Sequence, residues 1–244
     1  MNAVASSRRF APGWPTTLFV VFFLPLLLGL GSWQMQRAEE KRELQSLIDL
    51  GQAQLPTSLR SVQAEPSMHW RPVRLQGSFD AERVWLLDNR TRGGQAGVEV
   101  LQLFSDQSGQ ELVVNRGWVA WPDRSSLPTI STPAGPLVLD AEIVPPAGTA
   151  FTLGEAQTQA GWPKLIVALD VQSMSTEAGV DLPPWTARLR TGSSQALRLE
   201  WPPLPTSASR HIGYAVQWFA LAAALLILYI WAGFRPDRDR EPTQ

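Results

Sequence analysis

Two long apolar runs enclose a central stretch in which apolar and polar residues alternate over short distances. The first run, residues 14–33, and the second, residues 212–234, contain no charged residue. About 20 apolar residues are enough for a helix to cross the hydrocarbon core of a membrane. The pattern therefore predicts two transmembrane helices around one extramembrane domain. The predicted segments are an N-terminal tail (1–13), a first span (14–36), a central domain (37–209), a second span (210–234) and a C-terminal tail (235–244).

A cleaved signal peptide is the alternative interpretation of the first run. Arg8 and Arg9 would then form its basic N-terminal region. The run is long, however, and no small-x-small cleavage site follows it. Bulky residues from Trp33 to Arg37 come next instead. We therefore expect the first span to be retained as a membrane anchor.

Arginines outside the spans predict the orientation in the membrane. Basic residues concentrate on the cytoplasmic side of membrane proteins. Both outer flanks are basic, whereas the inner flank of the second span carries only one arginine. The basic residues of the outer flanks are Arg8, Arg9, Arg235, Arg238 and Arg240; those of the inner flanks are Arg37, Lys41, Arg42 and Arg210. In a Gram-negative bacterium this predicts an inner-membrane protein with cytoplasmic termini and a periplasmic central domain.

The central domain has the pattern of a mostly-β fold. Residues 38–50 have helical periodicity and extend the first span outward, but short β-favouring runs between turn residues follow. The run 111–119 pairs with 97–104 as an antiparallel hairpin, and Asp170 caps a short helix over 171–178. The predicted strands are 73–79, 84–87, 97–104, 111–119, 137–144, 165–169, 186–189 and 196–201. The predicted fold class is two transmembrane α-helices flanking one mostly-β, barrel or sandwich-like α+β domain.

Composition excludes several classes of function. The chain has no cysteine, so it forms no disulfide, thiolate metal site or cysteine nucleophile. The net charge of −1 and the absence of a basic block argue against a nucleic-acid partner. The sequence contains no nucleophile elbow, zinc-protease motif or phosphate-binding loop. We therefore do not expect an enzyme.

One of the two histidines stands at the start of the second span. His211, Tyr214, Trp218 and Ala222 follow one another at i, i+3, i+7 and i+11, roughly one helix face. Neutral imidazole is a common axial ligand of haem iron, and a porphyrin can lie along such an aromatic face. The alternative is that His211 snorkels at the interface and bonds only headgroups or water. The spacing alone does not decide between a ligand of haem iron and an interfacial side chain.

Three further residues lie at the same membrane boundary. Arg37 and Arg210 are placed to pair with the carboxylates of a bound haem. Trp33 ends the first span beside them. The alternative for all three is an interfacial aromatic belt with snorkelling arginines.

Arg116 and Trp118 lie near the end of a predicted strand. Arg116 can contact a partner protein, or it can stabilise the fold by hydrogen-bonding loop carbonyls beside a bulge at Gly117. We expect the structural role. The second histidine, His69, precedes a strand without another histidine nearby, so we expect a surface or edge-strand residue rather than a metal ligand.

Four motifs resemble those of the Surf1 (Shy1) family of cytochrome c oxidase assembly factors, and they occur in the family's order within a span–domain–span layout. They are residues 30–37 (LGSWQMQR), 69–79 (HWRPVRLQGSF), 114–119 (VNRGWV) and 210–220 (RHIGYAVQWFA). The resemblance implies a membrane chaperone that binds haem a transiently through His211 and aids its insertion into oxidase subunit I. Cytochrome c oxidase subunit I is then the expected partner, with haem a synthase as a second candidate.

Three other functions compete with this one: a scaffold, a sensor and an enzyme. A scaffold would dock subunit I or haem a synthase through the β domain and never bind haem. A periplasmic sensor is disfavoured by tails of only about ten residues. An enzyme acting on haem is disfavoured because no acid–base or redox constellation is present.

Overall fold

The computed structural model describes residues 10–62, 68–145, 161–201 and 207–234. The C-terminal tail and the five arginines of the outer flanks lie outside these ranges. In chain order the elements are α1 (Trp14–Gln52), β1 (Thr57–Ser58), β2 (Pro72–Arg92), β3 (Gln95–Asp106), β4 (Glu111–Ala120), β5 (Leu137–Val144), β6 (Lys164–Ile166), α2 (Val171–Ala178), β7 (Thr186–Leu189) and α3 (Ser209–Gly233); a 3-10 turn, Leu59–Ser61, follows β1. The chain forms two compact units, one of Met1–Gln45 with Leu204–Gln244 and one of Ser46–Pro203.

The first unit contains most of α1 and all of α3, packed antiparallel. The hydroxyls of Thr17, near the start of α1, and Tyr229, near the end of α3, lie 3.1 Å apart. At the other end of the pair, Gln34 of α1 reaches His211 of α3. Helix α1 runs without interruption for 39 residues, through Pro25. The predicted outward continuation of the first span is therefore confirmed.

The contact between the two helices follows a spacing of three and four residues. Positions at this spacing are buried or half-buried, whereas most positions between them are exposed. This spacing keeps one stripe of each helix facing its partner, and small residues in the stripe let the backbones come close. The stripe consists of Thr17, Val20, Leu24, Leu27, Gly31 and Gln34 on α1, and of His211, Ala215, Trp218, Ala222, Leu225 and Tyr229 on α3.

Both helices are long and apolar enough to cross a membrane. In each, only 11% of the most apolar 18-residue window is buried. The core helix of a soluble protein would bury most of such a window, so the exposed apolar surface needs another apolar environment. The two helices thus indicate a two-pass membrane protein.

The second unit is a closed, five-stranded barrel. Strand β2 pairs with β3, β3 with β4, β4 with β7, β7 with β5, and β5 again with β2. The β4–β7 pair is parallel and the other four are antiparallel. Strands β1 and β6 each add a short parallel pairing to β2. Closure satisfies the strand edges of the ring, as a small barrel requires.

Inward-facing apolar side chains fill the barrel, and a second layer packs under α2. Leu75, Phe104 and Leu139 are fully buried inside the ring. Met174 of α2 packs with Trp85 in the second layer. Burial of a side chain of this size contributes about 1.5–3 kcal/mol, so these layers supply the main stabilisation of the domain.

Four predicted strands differ from the structure. Residues 73–79 and 84–87, predicted as separate strands, belong to the single strand β2, whose register shifts between Phe79 and Val84. The shift interrupts the alternation of apolar residues and makes one bent strand look like two. The strand predicted over 165–169 is shorter, as β6. The strand predicted over 196–201 is wrong, because this segment forms only an isolated bridge between Arg198 and Trp118.

The other predicted strands, the hairpin and the capped helix of the central domain are confirmed. Strands β3, β4, β5 and β7 match their predicted runs closely, and β3 and β4 form the predicted antiparallel hairpin. Helix α2 begins after Asp170, whose carboxylate accepts from the backbone N–H groups of Gln172 and Ser173. Such a cap stabilises a helix by about 1 kcal/mol, which explains why a local signal predicted α2 correctly.

Candidate functional site: a histidine at the start of the second span

His211 lies in the first turn of α3 and is half-buried against α1. Its Nδ1 atom lies 2.8 Å from Oε1 of Gln34. With the amide oxygen as acceptor, Nδ1 carries the ring proton and Nε2 keeps its lone pair. No residue in the described ranges forms a hydrogen bond to Nε2. The arrangement therefore leaves one imidazole nitrogen available as a ligand.

Close approach of the two helices brings this pair together. Ala215, one turn after His211, is fully buried. A Cβ atom added to Gly31, one turn before Gln34, would lie 2.6 Å from the ring of Phe219. Small residues on both helices thus set the distance at which Gln34 reaches His211.

The donor set fits haem iron. Histidines that bind metal generally donate one ring N–H to an acceptor, which fixes the tautomer and orientation of the ring. Gln34 supplies such an acceptor, and a neutral imidazole is an ordinary axial ligand for haem. The pair can therefore present a preoriented nitrogen to an iron-containing ligand.

The aromatic face predicted on α3 is divided in the structure. Trp218 is half-buried and Tyr214 is 52% exposed on the flank of the helix pair. Ala222 is only 3% exposed, because it faces α1. A flat ligand at His211 can therefore reach Tyr214 and the free part of Trp218, but it cannot extend over Ala222. The expectation of one continuous face through Ala222 is corrected accordingly.

Arg37 and Trp33 lie on the exposed side of α1. The guanidinium of Arg37 lies 2.7 Å from the Glu40 carboxylate and 5.9 Å from the centre of the Trp33 ring. An exposed ion pair of this kind contributes only about 0–1 kcal/mol. Arg37 can therefore exchange Glu40 for another carboxylate at little cost.

Arg210 is exposed at the start of α3. It forms no ion pair within the described ranges of the chain. Its position directly before His211 keeps it near any ligand held by that histidine. The two arginines thus flank the site in sequence, one on each helix.

Arg116 is buried inside the second unit, at 3% exposure. Its Nη1 donates to Oε1 of Gln102 (2.7 Å) and to the carbonyl of Ser131 (3.0 Å), and its Nε to the carbonyl of Gln195 (3.4 Å). Burial lowers the pKa of its guanidinium below the ordinary value. These contacts match the structural alternative, in which Arg116 holds loop carbonyls.

A bulge in β4 turns Arg116 into this position. Val100 pairs with Gly117 and Leu101 with Asn115, so Arg116 is the extra residue. Gly117 has φ of +117°, a conformation that residues with a Cβ rarely adopt. Beside it, the buried Trp118 donates its indole N–H to the carbonyl of Arg90 at 2.8 Å. A partner role for Arg116 or Trp118 stays a prediction.

His69 lies before β2 and is half-buried rather than freely exposed. Burial lowers the pKa of its imidazole below 6.5. In the described ranges, no cluster of three histidine, aspartate or glutamate side chains is arranged to hold a metal ion. His69 therefore has the environment of a packed, neutral side chain.

Taken together, fold and site define a two-span membrane protein with a closed barrel domain between the spans in the chain and a half-buried histidine, bonded to Gln34, at the start of the second span. The chain belongs to the SURF1 family, whose model matches residues 21–223. It is also similar to a SURF1-like protein of Rickettsia bellii (strain RML369-C), with 23% identity over 221 residues, 88% of this chain and 89% of the relative. Family membership implies a role in the assembly of cytochrome c oxidase and assigns the chain to assembly factors rather than to a known class of enzymes.

Gln34 is the residue at this site whose role the sequence did not reveal. It occurs within the first motif, and the sequence places it at the end of the first span. Its contact with His211 depends on how the two helices pack. The available signal was a polar side chain at the end of an apolar span, where a partner on the neighbouring helix can satisfy it.

Proposed function

We propose that this protein binds haem a at the membrane boundary and aids its insertion into subunit I of cytochrome c oxidase. The observation that carries the proposal is the His211 imidazole, with Nδ1 bonded to Gln34 and Nε2 without a partner among the described residues. Membership of an oxidase assembly family supports this interpretation. Together they favour a ligand of haem iron over an interfacial side chain.

Each of the other site residues has a role in this proposal. His211 binds the iron through Nε2. Tyr214 and Trp218 provide an aromatic flank for the porphyrin edge. Arg37 and Arg210 pair with the two carboxylates of the haem, since arginine binds carboxylates in a bidentate geometry. Trp33 packs beside Arg37 at the boundary.

Transfer requires that the haem leaves this site when subunit I offers a better one. A single histidine and exposed arginine contacts suit such release, because neither contact encloses the ligand. The protein contributes no bond-making step in this mechanism. Subunit I is the proposed acceptor, and haem a synthase the second candidate partner, as the donor.

The proposed location is a bacterial inner membrane, with both termini in the cytoplasm and residues 37–209 in the periplasm. The arginine-rich outer flanks support this orientation by the positive-inside rule. The packing of α1 against α3 supports retention of the first helix, because a cleaved signal peptide would leave the contact stripe of α3 without its partner.

The test is the visible spectrum of the detergent-solubilised protein, purified from cells that make haem a. We expect the wild type to carry haem a and the His211→Ala variant to lose it or to show a shifted spectrum. His69→Ala is the matched control, because it removes the only other histidine, and its spectrum should match the wild type. An unchanged spectrum and unchanged oxidase assembly in His211→Ala would refute the ligand assignment.

A colourless wild type from cells that demonstrably contain haem a would favour the scaffold function instead. In that case the β domain would be expected to co-purify with subunit I or haem a synthase. A pull-down with residues of the barrel surface substituted would then locate the docking surface.

A further inference from the structure

We infer that Gln34 is a positioning residue, which holds His211 in the tautomer with the proton on Nδ1 and directs Nε2 away from α1. The haem-related part of this inference rests on the proposed function. The tautomer itself is a property of the protein without haem and can be measured independently.

The environment of the His211 ring favours one of its two neutral tautomers. Neutral histidine has one N–H donor and one acceptor nitrogen, and the protein decides which nitrogen has which role. A half-buried N–H without an acceptor loses hydration and gains no bond in return, so the proton stays where an acceptor faces it. The Gln34 amide oxygen faces Nδ1 at 2.8 Å, and this contact stabilises the Nδ1–H tautomer.

Packing around the pair fixes its geometry. Gly31 lies against Phe219, and Ala215 is fully buried one turn beyond His211. The backbones are thus held close, and Gln34 and His211 themselves are half-buried. A side chain at position 34 therefore has to meet the His211 ring.

The orientation of the Gln34 amide determines which nitrogen of the His211 ring carries the proton. With the oxygen toward the ring, Nε2 is an unprotonated ligand. With the amide nitrogen toward the ring, Nδ1 would be the acceptor and Nε2 would carry the proton. That second tautomer cannot bind iron through Nε2, so the two orientations predict opposite results.

An amide at position 34, in place of a carboxylate, also affects how strongly Nε2 of His211 binds iron. A carboxylate acceptor would draw the Nδ1 proton more strongly and raise the basicity of Nε2. A neutral amide fixes the tautomer without this increase. A moderate ligand suits a site that has to release its cargo, so Gln34→Glu should retain haem longer than the wild type does.

The first measurement is ¹⁵N NMR of histidine-labelled protein purified without haem, at a pH where the ring is neutral. The His69→Asn background leaves His211 as the only labelled residue, because the chain has two histidines. We expect the wild-type ring in this background to be protonated on Nδ1. Gln34→Leu should show a mixture of tautomers or the Nε2–H form.

Gln36→Leu is the matched control. Gln36 lies on the same helix two residues further, and it is exposed, so its removal should leave the tautomer of His211 unchanged. An Nε2–H ring in the wild type, or a tautomer ratio that Gln34→Leu leaves unchanged, would overturn the inference.

The second measurement is haem a retention. Loss of an acceptor behind a metal-binding histidine commonly costs 10–100-fold in affinity, so we expect a decrease of about that size in Gln34→Leu. We expect an increase in Gln34→Glu, whose carboxylate can still accept from Nδ1. If Gln34→Leu fails to fold, Gln34→Glu still tests the inference.

Failure of the proposed function and failure of the positioning role of Gln34 give different experimental results. Haem retention that does not change in His211→Ala refutes the proposed function, even where the NMR result is as expected. Loss of haem in His211→Ala, together with wild-type tautomer and retention in Gln34→Leu, refutes only the role of Gln34.

Discussion

Arg116 holds several loops in place from inside the barrel domain. Its guanidinium joins Gln102 of β3 to the carbonyls of Ser131 and Gln195, and lies 5.0 Å from the centre of the Phe79 ring. Buried acceptors without a donor lose hydration and gain nothing in return. Removal of this one side chain therefore affects three parts of the chain at once.

Arg116→Ala should lower the free energy of unfolding by about 2–4 kcal/mol, because it leaves the buried amide oxygen of Gln102 without its donor and removes the bonds to two part-buried loop carbonyls. Thermal unfolding of the full chain in detergent, followed by tryptophan fluorescence, measures the change. Arg74→Ala is the control: its ion pair with Asp140 is about half exposed, and it should cost less than about 1 kcal/mol. Equal effects of the two substitutions would refute the structural role of Arg116.

The helix pair is the element on which the candidate site depends. Gly31 of the contact stripe leaves a space on α1, and the ring of Phe219, which lies beside the stripe on α3, occupies it. Gln34 lies one turn after Gly31 on α1, and His211 lies about two turns before Phe219 on α3. The separation of the helices at Gly31 thus controls whether the two polar side chains meet.

Gly31→Val should separate the helices, because even a Cβ atom there would lie 2.6 Å from the Phe219 ring. Gly29→Val is the matched control, since a Cβ atom at Gly29 meets nothing within 4 Å. The chain has no cysteine. A double variant with Thr17→Cys and Tyr229→Cys therefore has only these two thiols, and their cross-linking reports how close α1 lies to α3. Cross-linking of these two by a short bismaleimide should decrease in Gly31→Val and persist in Gly29→Val. Equal yields would contradict the steric argument.

At the scale of the whole molecule, the barrel domain is tied together where the chain enters and leaves it. Gln52, at the end of α1, donates to Glu142 of β5, and Glu142 pairs with Arg188 of β7. The Arg188 guanidinium lies 5.2 Å from the ring centres of both Trp70 and Trp201. One buried ion pair thus joins the segment after the first span to the segment before the second.

Stability of the barrel domain should decrease on acidification in two ranges. Burial lowers the pKa of His69, so in this range the folded state binds fewer protons than the unfolded state. The free energy of unfolding therefore decreases as the pH falls from about 6.5 toward the lowered pKa of His69. The hydrogen bond from the Ser173 hydroxyl lowers the pKa of Asp170, whose contribution is lost below about pH 4. Unfolding temperature measured against pH checks both ranges.

Two substitutions separate these ranges. His69→Gln should flatten the upper range, which begins at about pH 6.5, because glutamine does not titrate. Asp170→Asn should leave the upper range intact and affect only the lower one. A pH dependence in the upper range that survives His69→Gln would assign it to another group.

Local patterns in the sequence determined the elements of this protein. Two uncharged apolar runs long enough to span a membrane, the alternation in β3, β4, β5 and β7, and the Asp170 cap each act within a few residues, so they could be predicted from the chain alone. Four ordered motifs likewise indicated the family, and the position of His211 at the start of a span indicated the candidate site.

Tertiary structure decided what depends on residues distant in the chain. Ring closure needs the pairing of β5 with both β2 and β7, and the bulge at Arg116 depends on register with β3. The division of the aromatic face depends on which side of α3 meets α1. The contact between Gln34 and His211 joins residues 177 positions apart. The sequence alone supplied both side chains, but only the packing of two helices across Gly31 and Ala215 brings an acceptor to Nδ1 and leaves Nε2 available.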